Sequence, residues 1–130
     1  MKKLLIATGA ALLLATGAAF AGIITTLLLN ASATGAGTGV NYASLNGSIP
    51  IPNRWFQATL SGASAVSATV TVDGSTDNTN WVTLATLSLA ASPAASATAA
   101  TQLLSTAPYM RGNVTAISGI GETVTLWSGQ

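Results

Sequence analysis

The side chains able to do chemistry are few. Lys2, Lys3, Arg54 and Arg111 are the cations, Asp73, Asp77 and Glu122 the acids, and the formal net charge is +1. The chain has no His and no Cys. Their absence removes thiol and imidazole catalysis, His- or Cys-bound zinc, disulfides, His-ligated haem and Cys-ligated iron–sulfur clusters. A Ser-His-Asp triad cannot be built. Two arginines beyond the N-terminus cannot neutralise a run of phosphates, so nucleic-acid binding is not expected. The inventory points away from an enzyme, from any cofactor or metal, and from a small-molecule substrate.

Acids come together once, in Asp73-Gly74-Ser75-Thr76-Asp77-Asn78-Thr79-Asn80. Calcium takes six to eight oxygen ligands, which two carboxylates with amide and backbone oxygens could supply. The spacing is not that of an EF-hand, and Asp and Asn are the ordinary residues of turns, so a structural hairpin turn is expected. A glycosidase pair would need its carboxyls some 5–10 Å apart in a sugar cleft, and no aromatic platform adjoins this pair in sequence. Arg111, in Tyr109-Met110-Arg111-Gly112-Asn113, is expected to pair with an acid such as Glu122.

The large aromatic anchors are Trp55-Phe56, Trp81 and Trp127. Trp81 opens an apolar run and is expected in the core. Trp127 shares a face with Thr123 and Thr125, opposite Val124 and Leu126, which suits a contact with a partner or a stacked sugar. The candidate interface residues are Trp55, Phe56 and Trp127, together with the apolar Ile23, Ile24, Leu27, Leu28 and Leu29.

The elements that must position these residues read as β throughout. Ser67 to Val72 alternates strictly, with Val66, Ala68, Val70 and Val72 on one face and Ser67, Thr69 and Thr71 on the other, the period of a half-buried strand. Trp81–Leu89 follows the polar turn as its hairpin partner. Further strands are expected at Ile23–Leu29, Tyr42–Leu45, Trp55–Leu60, Ala97–Leu104, Tyr109–Ile117 and Thr123–Trp127. Gly-, Pro- and Ser-containing stretches separate them. Short strands divided in this way predict an all-β fold, a β-sandwich or jelly roll, over residues 22–130.

More than half of the 130 residues are Ala, Thr, Ser or Gly, and 49% are hydrophobic. Disordered chains combine low hydrophobicity with high net charge, the opposite of this composition. Charges normally keep a surface soluble and blunt its sheet edges. A chain this poor in them either has a Ser/Thr surface that is soluble anyway or is largely covered by partners, and the second reading is favoured.

Residues 1–21 stand apart as a hydrophobic N-terminal segment outside the sandwich. Met1-Lys2-Lys3 is a positive start, Leu4 to Ala19 is apolar and small, and Ala19-Phe20-Ala21 resembles an export cleavage site before Gly22. The alternative is a retained hydrophobic arm. A membrane is a partner only if the segment is a signal.

Three strings then occur in order. They are Leu28-Leu29-Asn30-Ala31-Ser32-Ala33-Thr34-Gly35, Val72 to Leu84, and Ala107-Pro108-Tyr109-Met110-Arg111-Gly112-Asn113-Val114-Thr115-Ala116-Ile117-Ser118-Gly119. Together they resemble the small β-sandwich virion proteins of tailed bacteriophages, among them capsid decoration (cement) proteins. The middle string is similar to a G-S-x-D-G-T-N-W hairpin, with Asn78 in place of the turn Gly, and the last to an A-P-x-x-Y-V-R-x-N-V-T strand. The resemblance covers about residues 27–130 and does not include the leader-like segment. It implies a homo-oligomer on the capsid exterior whose partner is the major capsid protein, with Ile23, Ile24 and Leu27–Leu29 as a clamp or exchanged strand. Two alternatives stay open: an exported adhesin or carbohydrate-binding module of the periplasm or cell surface, and a phage tail or head-fibre component.

Overall fold

The computed structural model describes residues 26–42, 53–63, 65–92 and 96–129. Ile23, Ile24 and the whole leader-like segment lie outside the described residues, as does the expected strand beyond Tyr42. Nine strands form among the described residues: β1 (Thr26–Ala31), β2 (Gly35–Ala36), β3 (Val40–Asn41), β4 (Asn53–Ser61), β5 (Val66–Ser75), β6 (Val82–Ala91), β7 (Ser96–Leu104), β8 (Tyr109–Ser118) and β9 (Thr123–Gly129). They make two antiparallel sheets. One has the order β1-β9-β4-β7, and the other β2-β8-β5-β6, with β3 also paired to β8. The all-β expectation holds, and the architecture is a β-sandwich.

Alternation decides what lies between the sheets. On β5, Val66, Ala68, Val70 and Val72 are buried, as the sequence pattern requires. β4 is flanked by β7 and β9, and it sends Phe56, Ala58 and Leu60 inward with no exposed surface. Val124 and Leu126 from β9, Met110 and Val114 from β8, and Leu87 and Leu89 from β6 complete the core. Leu28 and Leu29 join it from β1. Two consecutive residues can both face inward because the β1–β9 register shifts between Leu27 and Leu29, a bulge that places an extra residue on β1.

Gly112 is required where the sheets approach closely. A Cβ there would lie 2.8 Å from Leu126 Cδ2 and 2.9 Å from Leu29 Cβ, closer than carbon atoms pack. One end of the core is polar. Arg54 is fully buried, its guanidinium carbon 4.0 Å from the centroid of the Tyr42 ring. Its Nη1 lies 2.9 Å from Met110 Sδ and 3.5 Å from the Ala107 carbonyl, while Nε has no hydrogen-bond partner among the described residues. Burial lowers the Arg54 pKa, partly offset by the nearby Tyr42 hydroxyl. Burial likewise raises that of Tyr42, against hydrogen bonding to the buried Ser128 hydroxyl.

Two substitutions test this packing. Phe56→Ala should cost about 3–5 kcal/mol of unfolding free energy through cavity formation. Gly112→Ala should cost about 1–3 kcal/mol through overpacking. Urea denaturation followed by tryptophan fluorescence measures both, and equal midpoints for wild type and both variants would contradict the core assignment.

Candidate functional site

The candidate contact residues separate by which face of their strand they occupy. Phe56, Leu28 and Leu29 lie in the core and not on an exposed face. Alternation allows only one of the neighbours Trp55 and Phe56 to face inward, and it is Phe56. The bulge on β1 buries Leu28 and Leu29 together. Leu27, Trp55 and Trp127 remain, exposed by 41%, 56% and 43%. Leu104 joins them at 80%.

These four residues come from the four strands of one sheet and share its outer face. Leu27 on β1 stands directly opposite Trp127 on β9. Trp127 is opposite Gln57 and Trp55 is opposite Gly129, so the two tryptophans are diagonal neighbours, roughly 7–8 Å apart along the sheet. On the other side Trp55 is opposite Gln102 and Asn53 is opposite Leu104, which makes Trp55 and Leu104 diagonal neighbours as well. The result is an apolar row crossing the whole sheet, from Leu27 through Trp127 and Trp55 to Leu104. Leu27 also lines an open concavity of about 640 Å³ along residues 27–40. Leu104 was missed from the sequence, although its alternation with Ala100 and Gln102 is the signal that places it outside.

Elsewhere on the outer face the row is bordered by Asn30, Gln57, Thr59, Thr98, Ala100, Gln102 and Thr125. None of these side chains ionises. The arrangement has no nucleophile or acid–base pair, and what it offers is aromatic area ringed by uncharged hydrogen-bonding groups, the composition of a contact surface.

The ion-paired residues Arg111 and Asp73 lie on the other sheet and have structural partners. Arg111 pairs with an acid as expected, and the acid is Asp73 in place of Glu122: Arg111 Nε donates to Asp73 Oδ2 at 3.3 Å because the β5–β8 register sets Asp73 directly opposite Arg111. Asp73 Oδ1 also accepts from Thr71 Oγ1 at 2.9 Å and from Thr83 Oγ1 at 3.0 Å. The Arg111 guanidinium carbon lies 4.3 Å from the centroid of the Trp81 ring. Trp81 is therefore half-buried on the outside of this sheet rather than in the core. It packs over Gly39, where a Cβ would come within 2.8 Å of the ring.

The Ser75–Asn80 segment is a turn organised by Asp77. Its Oδ1 accepts from the backbone N–H groups of Thr79 at 2.9 Å and Asn80 at 2.7 Å and from Ser75 Oγ at 2.9 Å, and its Oδ2 accepts from Asn80 Nδ2 at 2.7 Å. Asn78 takes the left-handed conformation (φ 59°) that Asn tolerates in place of Gly. Among the described residues no group of three or more His, Cys, Asp or Glu side chains could hold a metal.

The Asn80 hydrogen bonds, with those from Thr79 and Ser75, hold the Asp77 carboxyl well below the usual carboxylate range. A depressed folded pKa stabilises the native state above the unfolded value of about 3.9, and the contribution is lost as pH falls through the folded pKa. Asp77→Asn should therefore lower the Tm at pH 7. The gap between variant and wild type should narrow steadily from pH 5 to pH 2, as read by calorimetry. A gap independent of pH would contradict the role of the charge.

No protein-family model matches the sequence, and no curated protein matches it. Among solved structures, the fold is similar to the crystal structure of the PBSX exported protein XepA, with a TM-score of 0.52 and 17% sequence identity. The match covers 82% of this chain but 36% of that one, so this chain spans little more than a third of the length of the protein it resembles. At this identity the likeness is one of fold.

Proposed function

We propose that the chain is a non-enzymatic structural protein of a tailed-bacteriophage virion, bound to the capsid exterior as a homo-oligomeric decoration (cement) protein. The observation that carries the reading is the apolar row Leu27–Trp127–Trp55–Leu104 on an uncharged sheet face. A rigid sandwich presenting such a face can bridge neighbouring capsomers. By binding only the assembled shell it stabilises that state by mass action. Supporting the phage setting are the three sequence strings quoted above and the fold shared with the phage-related XepA.

A second reading, an exported binding module, is favoured by two particulars: the leader-like residues 1–21 and the description of XepA as an exported protein. There Trp55 and Trp127 would form the binding face. The N-terminal residue of the natural protein separates the two, Met1 for assembly in the cytoplasm and Gly22 for export.

The virion reading is tested by co-sedimentation of the full chain with purified capsids, together with localisation of its density in images of the particle. Trp55→Ala and Trp127→Ala should each weaken capsid binding roughly 30-fold, the consequence of losing a hot-spot contact of about 2 kcal/mol. Their unfolding midpoints should stay near wild type, because both side chains are exposed. Wild-type protein that stays in the supernatant while capsids pellet would refute this assignment.

A further inference from the structure

We infer that β7 is a self-association edge, pairing antiparallel with β7 of a second copy so that two four-stranded sheets become one continuous sheet. This deepens the homo-oligomer in the reading above and rests on that part of it alone, not on the identity of the particle.

The argument begins with how sheet edges are normally protected. An edge strand exposes unpaired N–H and C=O groups, and isolated domains blunt such edges with Lys, Pro, bulges, short strands or a cover. Three of the four edges here carry such a device. β1 has its bulge at Leu28. β2 and β3 are two residues each. The β5–β6 register shifts between Val72 and Asp73, which leaves Leu84 as an extra residue on β6.

β7 has no Lys or Pro, no bulge and no shortening, and although β6 of the other sheet runs beside it, the two strands are not paired among the described residues. It runs nine residues, Ser96-Ala97-Thr98-Ala99-Ala100-Thr101-Gln102-Leu103-Leu104, in unbroken register with β4. It contains no Pro and no charge, and the chain has no charged residue between Asp77 and Arg111. Among the described residues its second edge is unpaired.

The occupant follows from the side chains. Antiparallel pairing about a two-fold axis at Ala100 sets Ala100 against its own copy. It places Leu104 opposite Ser96 and Thr98 opposite Gln102 on the outer face, and Leu103 opposite Ala97 on the inner one. Each Leu meets a small residue, and no like charges meet because none are present. The axis is perpendicular to the sheet, so both outer faces point the same way. Two apolar rows, each ending at a Leu104, would then lie on one surface. A contact made by both is intramolecular in its second step, and avidity rises accordingly.

The chain has no Cys, so a single introduced thiol is an unambiguous reporter. In the proposed pair, the Ala100 Cα atoms of the two copies fall within about 5.5 Å, inside the range a disulfide bridges. Full-length Ala100→Cys should form a covalent dimer under mild oxidation. Gln57→Cys, exposed on the same face one strand inward, should not. Sedimentation velocity should show a wild-type dimer that Ala100→Lys converts to monomer. An equimolar mixture of Ala100→Lys and Ala100→Glu should restore it, with circular dichroism reporting that each variant is folded. A wild-type monomer at all concentrations overturns the proposal, and the homo-oligomer with it. A wild-type oligomer in which Gln57→Cys cross-links and Ala100→Cys does not overturns the edge pairing but leaves self-association standing. Capsid binding is read separately by co-sedimentation.

Discussion

Everything in this sandwich follows from the requirement that each sheet turn one face inward. β4 shows the constraint most clearly. Phe56, Ala58 and Leu60 are wholly buried, and the residues between them therefore face outward. With so few large apolar side chains, the interior needs Phe56. Its sequence neighbour Trp55 is then fixed on the opposite side, and cross-strand register brings Trp127 beside it. The surface row is thus the geometric complement of the core. The same strands cannot bury one set of side chains without displaying the other.

Alternation also explains how much was legible in the sequence. The strict run from Val66 to Val72 and the alternating Thr123–Trp127 segment reveal their faces directly. The polar stretch before Trp81 marks its hairpin. What stays hidden depends on register or on the third dimension. In Trp55-Phe56 the pattern requires one residue inward but does not say which. Leu28-Leu29 breaks the alternation because of a bulge, which sequence alone does not locate. Arg111 has several acids at reach in sequence, and only the pairing of β5 with β8 selects Asp73. Trp81 at a strand start looks like a core residue, yet Gly39 and Arg111 create a place for its ring outside.

Arg54 is the position where local reasoning is least informative. A lone cation on a strand normally sits in water, because burying it without a carboxylate is costly. Here parity with Phe56 turns it inward, and the Tyr42 ring and the Met110 sulfur receive the guanidinium. Tyr42 is in turn tied to Ser128 near the end of β9. One end of the core is therefore held by oriented polar contacts, the other by aliphatic packing. Specific contacts of this kind constrain register more tightly than interchangeable methyl groups do, so the polar end complements the small, permissive residues of the remaining strands.

The outer face of the four-stranded sheet has a property beyond its shape. Along β1, β9, β4 and β7 it displays only amides, hydroxyls, methyl groups and indole rings. Mobile ions have no fixed charge there to screen, so adhesion through it should be nearly indifferent to ionic strength. Burying hydrocarbon and indole also carries a negative heat-capacity change. Such a contact should weaken on cooling, so that chill, rather than brine, is what loosens its grip.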